Sequence, residues 1–115
     1  MSSSLLKLNL ADGSVSFSFS ADAARELQGA IAGLMEKLKA VSMKGAGTKP
    51  QPQTPLEYRH TGEVFLEVFC NPNIWPSPFA AKVLLTLRDD RIRLNTEVEL
   101  TRLSEDLNQY LEQLS

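Results

Sequence analysis

Eight residues, Glu63-Val-Phe-Leu-Glu-Val-Phe-Cys70, constrain the fold of this chain more than any other stretch. Neighbouring side chains on a strand project to opposite sides. Val64, Leu66, Val68 and Cys70 therefore share one side, and Glu63, Phe65, Glu67 and Phe69 share the other. Apolar groups occur on both sides, whereas a strand of a half-covered antiparallel sheet needs them on only one. The strand runs into Asn71–Pro78, where Pro72, Pro76 and Pro78 exclude regular structure and hold Ile74 and the sole tryptophan, Trp75, between them.

The remaining elements follow from periodicity. Leu6, Leu8 and Leu10 alternate with Lys7 and Asn9, and Val15, Phe17 and Phe19 alternate with Ser16 and Ser18, across an Asp12-Gly13 turn. That pattern is a hairpin with one apolar face and one polar face made for water. Ser20 is placed to cap a helix reaching about Val41, with Asp22 in its first turn and Leu27, Ile31, Leu34 and Leu38 at helical spacing. A second unit begins near Leu56 or Tyr58 and contains the strand ending at Cys70. A strand over Ala80–Arg88, a turn at Asp89-Asp90 and a strand over Arg91–Asn95 follow. Thr96 and Glu99 have the spacing of a capping box, so the last helix is expected to start there, with Leu100, Leu103, Leu107, Leu111 and Leu114 as its stripe. The predicted fold is α+β in the order ββα–βββα, with an antiparallel sheet of about five strands and two helices on one face.

At 115 residues the chain has the size of one domain. Residues 42–55 lack aliphatic periodicity and are broken by Gly and Pro, which predicts a flexible connector within that domain. The start lacks a secretory signal, and no apolar run reaches the ~20 residues of a membrane span. One cysteine excludes an internal disulfide. The expectation is a cytoplasmic protein without a membrane span. A net charge of −2 argues against general nucleic-acid binding, which rests on clustered Lys and Arg.

No catalytic, metal or cofactor site is read from the residues. Lys44-Gly-Ala-Gly-Thr-Lys49 imitates a phosphate loop, but its glycines are too close and Pro50 and Pro52 prevent the required helix. His60 and Cys70 are each the only residue of their type. On one continuous strand they would sit on the order of 30 Å apart, too far for a nucleophile–base pair. Asp89-Asp90 suits a turn, and Glu105-Asp106 point apart on a helix.

The informative surface is the outer sheet face. Two helices with one apolar stripe each cover a single face. Phe65, Phe69 and Leu84 are left on the other, rimmed by Glu63, Glu67, Lys82, Arg88, Arg91 and Arg93, unless the connector or Trp75 folds over the phenylalanines. An apolar centre with a charged rim has the composition of a specific interface. Trp75 and Ile74, on a rigid loop, have the character of binding anchors, and Trp75 equally suits a cap on its own core. The leading reading is a non-enzymatic interaction or assembly module, docking a protein partner or a second copy through Phe65, Glu67, Phe69, Ile74, Trp75, Lys82, Leu84, Arg91 and Arg93. Two alternatives are a small-molecule site near Trp75, His60 and Tyr58, and an RNA platform, which Glu63 and Glu67 oppose.

Ile74-Trp-Pro-Ser-Pro-Phe79, with Arg91-Ile-Arg-Leu94 and Glu105-Asp-Leu-Asn-Gln-Tyr-Leu111, resembles a small conserved cyanobacterial protein family of no assigned activity. The likeness covers about the C-terminal half. It implies a bacterial cytosolic setting and transfers no catalytic residue.

Overall fold

A computed structural model describes residues 5–42 and 53–114. Strands β1 (Leu5–Leu10) and β2 (Gly13–Ser18) form the expected hairpin, in register Leu6 with Phe17 and Leu8 with Val15. Helix α1 (Ala21–Ser42) follows. Ser20 caps it as predicted: its Oγ accepts from the Ala23 N–H at 3.1 Å and its carbonyl from the Ala24 N–H at 2.9 Å.

The second half departs from the sequence reading in two places. The stretch between Leu56 and Cys70 is two strands, β3 (Leu56–Thr61) and β4 (Phe65–Cys70), folded back on each other. Gly62 lies in the turn between them, close beside the His60 ring, whose Nε2 a Cβ there would approach to 3.0 Å. Glu63 and Val64 therefore belong to the turn, and Val64 packs partly against the core. Strand β5 (Lys82–Arg88) then pairs with β4 and with β6 (Arg93–Glu99).

The second departure is the capping box. β6 continues through Thr96 to Glu99 because its inner residues still have ladder partners, Thr96 opposite Leu85 and Val98 opposite Val83. Helix α2 (Leu100–Leu114) starts directly from the strand end, with the Leu100 N–H bonded to the Ala81 carbonyl at 3.0 Å. An unbroken ladder with buried Val98 outweighs a cap generally worth ~1 kcal/mol. Ile92 and Arg91, expected on a strand, lie in the β5–β6 turn, where Ile92 is 68% exposed.

The order is therefore ββα–ββββα, and the strands form two antiparallel sheets, β1-β2 and β3-β4-β5-β6, rather than one sheet of about five. A side chain prevents a merger along β1. Asp106 of α2 accepts from the Asn9 N–H at 2.8 Å and from Asn9 Nδ2 at 2.9 Å, occupying a donor that a further strand would need. Asn9 is accordingly half-buried instead of facing water.

One core joins all layers: Leu6, Leu8 and Phe17 of the hairpin, Leu27, Ile31, Leu34 and Leu38 of α1, Leu66, Val68, Val83 and Leu85 of the larger sheet, and Leu100, Leu103 and Leu107 of α2. The Tyr110 hydroxyl donates to the Phe19 carbonyl, and Gln28 Nε2 donates to Asn108 Oδ1 at 2.7 Å, tying α2 to the first unit. Most of the expected connector, residues 43–52, and with it the phosphate-loop imitation, lies outside the described residues. Its end is held: Gln53 exchanges backbone–side-chain hydrogen bonds with Asn73 at 2.8 Å, and Lys37 donates to the Thr54 carbonyl at 2.9 Å. No helix among the described residues is long and apolar enough to cross a membrane.

Candidate functional site: the outer face of the larger sheet

The alternation expected for β4 is observed. Leu66, Val68 and Cys70 are buried beneath the helices and hairpin, and Phe65, Glu67 and Phe69 are half-exposed on the far side. Register then orders the far side into cross-strand rows. Thr61, Phe65, Arg88 and Arg93 form the first. Arg59, Glu67, Thr86 and Asn95 form the second. Glu57, Phe69, Leu84 and Glu97 form the third, and Lys82 and Glu99 lie beyond it.

Each row has its own chemistry. In the first, the Arg88 guanidinium lies over the Phe65 ring at 4.4 Å from its centroid, a cation–π contact that partly covers this phenylalanine. In the second, Arg59 Nε donates to Glu67 Oε2 at 2.7 Å, and the buried Thr86 hydroxyl donates to Asn95 Oδ1 at 2.8 Å. Glu67 holds the Arg59 pKa above its ordinary value through this bond and its charge. In the third, Phe69 and Leu84 stand side by side between two exposed carboxylates, and Leu84 is 47% exposed. Sequence reasoning found Phe65, Glu67, Phe69, Lys82, Leu84 and Arg93 but missed Glu57, Arg59, Asn95 and Glu97. The first two were visible in the alternation of Leu56, Tyr58 and His60 with Glu57, Arg59 and Thr61. Asn95 ends the expected strand Arg91–Asn95 on the same side as Arg93 without being marked as a site residue, and Glu97 falls in the expected capping box beyond it.

The proline loop contributes differently from expectation. A short 3-10 turn (Pro72–Ile74) is capped by Asn71, whose Oδ1 accepts from the Asn73 N–H at 3.0 Å. Ile74 is 66% exposed, and Phe79, further along, is 83% exposed. Trp75 is half-buried, packs against the core, and hydrogen-bonds the thiol of Cys70. Since Cys70 points inward, the indole sits on the helix side of the sheet, away from Phe69 and Leu84. Arg91 occupies the β5–β6 turn, its N–H and that of Ile92 bonded to Asp89 Oδ1 at 2.8 and 2.9 Å. These two donors hold the Asp89 carboxyl below its ordinary range.

His60, Tyr58 and Trp75 do not converge. Trp75 adjoins Cys70, which pairs with Leu56, while His60 pairs with Leu66 at the other end of the ladder, about 13 Å along the strand. The same separation keeps His60 from Cys70. Burial pushes the Cys70 thiol up, and the Trp75 hydrogen bond only partly opposes it, so the nucleophilic thiolate is disfavoured. His60 packs edge-on against Phe19, centroids 5.1 Å apart, and Tyr58 donates to the Ala23 carbonyl at 3.2 Å. An open groove of about 520 Å³ lies beside His60, lined by Phe19, Ala21, Gly62, Glu63, Tyr110 and Leu114 among others. Neither Trp75 nor Tyr58 lines it. Among the described residues, no three of His, Cys, Asp and Glu are grouped as metal ligands would be.

The chain matches no protein-family model, no curated protein and no solved structure.

Proposed function

We propose that this chain is a non-enzymatic protein-interaction or assembly module that docks through the outer face of β3–β6. The observation that carries the reading is the strip of half-exposed Phe65 and Phe69 and exposed Leu84, flanked by ordered charges, on a face that neither described helix reaches. Leaving such groups in water forgoes roughly 1.5–3 kcal/mol for each side chain that a partner could bury in full. The loop after β4 exposes two further apolar groups, Ile74 and Phe79, while Trp75 anchors it to the core and its 3-10 turn lies against α1. Glu57 and Glu97 stand beside Phe69 and Leu84, where the phosphates of a stacked RNA strand would be repelled, so a protein surface is the better-matched partner class. A bacterial cytosolic setting, implied by the cyanobacterial resemblance, belongs to the same proposal.

The test is a photo-crosslinking residue placed at position 84 in the native cell, compared with one at Ser16 on the exposed side of the hairpin. Discrete adducts at position 84 that vanish with Phe69→Ser are expected. Adducts no stronger than those from position 16 would overturn the reading.

A further inference from the structure

We infer that a second copy of this chain occupies the outer face, related by a two-fold axis that runs parallel to the sheet and midway between the two facing copies, across the strands and over the row Arg59–Glu67–Thr86–Asn95. The inference rests on the docking reading above and names its partner.

Charge is ordered along the strands. The first row holds two exposed guanidinium groups, Arg88 and Arg93, and the third holds two exposed carboxylates, Glu57 and Glu97. The row between them is internally neutralised, through Arg59–Glu67 at 2.7 Å and the neutral Thr86–Asn95 pair at 2.8 Å. A positive, neutral, negative series is complementary to its own reversal. Rotation about the stated axis lays the first row of each copy on the third row of the other. Arg93 then faces Glu97 of the second copy, and Phe65 faces its Phe69. The pattern extends outward: the turn carrying Asp90 and Arg91 comes over Lys82 and Glu99 of the second copy. Glu67 meets its own copy near the axis, where Arg59 already neutralises each carboxylate.

The other face-to-face two-fold, parallel to the strands, lays Glu57 on Glu97 of the second copy and opposes like charges in the third row. Isologous pairing therefore selects the transverse axis. Aligned sheets pack about 10 Å apart, within reach of facing Arg and Glu side chains. Four strands of six or seven residues span about 19 Å by 20–23 Å, on the order of 400 Å² in projection. Standard interfaces bury about 800 Å² per partner, so the association belongs to the weak, concentration-dependent class.

Mass in solution tests this from micromolar to millimolar protein. The expected result is a rise from 12.7 kDa towards twice that value. Arg93→Glu and Glu97→Arg alone are each expected to weaken self-association at least about tenfold, because each creates a like-charge contact in both halves of the dimer. Mixed one to one, the two variants place opposite charges at both contacts and dimerise again. Far-UV circular dichroism of each variant checks that it is folded. A constant 12.7 kDa for the wild type, single variants that dimerise like the wild type, or folded variants that fail to recover on mixing would each overturn the inference. Crosslinks from position 84 to a different protein, with a monomeric wild type, would remove the second copy while keeping the docking reading. Loss of both results removes both.

Discussion

Asp106 shows how much a single side chain decides in this molecule. It is a carboxylate 8% exposed, and both of its oxygens accept from Asn9. Charge-assisted bonds to a backbone N–H and an amide are stronger than neutral ones, and removing the acceptor leaves a half-buried donor without a partner. Asp106→Ala is expected to lower stability by about 1–3 kcal/mol, measured by urea unfolding. Asp106→Asn should fall between, since one oxygen still serves the Asn9 N–H while two amide groups face each other. Glu105, its neighbour, is exposed, and the adjacent pair functions as one clamp and one surface charge. In the sequence the two carboxylates were equivalent. Only the arrival of α2 beside the edge of β1 distinguishes them.

At the scale of elements, the β5–β6 hairpin carries two predictions. Asp89 holds its turn through the Arg91 and Ile92 N–H groups, and the Asp89 N–H closes the turn on the Ile92 carbonyl at 3.0 Å. Its carboxyl pKa is lowered in the folded chain from the ordinary 3.8. A depressed folded value means the contribution is present above the unfolded pKa and is lost as pH falls through the folded one. Asp89→Ala should therefore lower the thermal midpoint near neutral pH and leave it unchanged well below pH 3.8, in paired melts across the acid range. Thr96 supplies the other case. A helix cap replaced by Val would cost roughly 1 kcal/mol. Here Thr96 is a strand residue opposite Leu85 on the inner face, so Thr96→Val is expected to be neutral or stabilising by the same urea measurement. Local spacing suggested a capping box, and the ladder to β5 overrode it.

Across the whole molecule, the two sheets share one core without joining. The hairpin contributes Leu6, Leu8 and Phe17, the larger sheet its inner face, and the helices fill between, and no other described element covers the outer face of β3–β6. The docking and two-copy proposals belong to this scale because their charge pattern spans four strands. No single element carries it: Arg93 and Glu97 lie on β6, Glu57 on β3, and Arg88 on β5. Much of this architecture was legible from periodicity, since burial imposes a period of two on strands and about 3.6 on helices. The hairpin, the Ser20 cap, both apolar helix stripes and the two-sided character of Phe65–Cys70 were readable that way. The split at Gly62, the extent of β6 and the position of Trp75 were not. The first two depend on contacts with another strand or loop, His60 packed on Phe19 and Thr96 beside Leu85, and the third on how the loop after β4 lays Trp75 against the core next to Cys70.

The amino-acid order alone thus determined where apolar groups recur: the helical leucines, the inner alternates of the strands, and the additional apolar groups at Phe65, Phe69 and Leu84. Tertiary structure decided what those groups meet. Pairing register is a non-local property, because a shift of one residue exchanges every face and local propensity does not sense the opposite strand. Register alone set Arg88 and Arg93 in one row, Glu57 and Glu97 in another, and a neutral row between them.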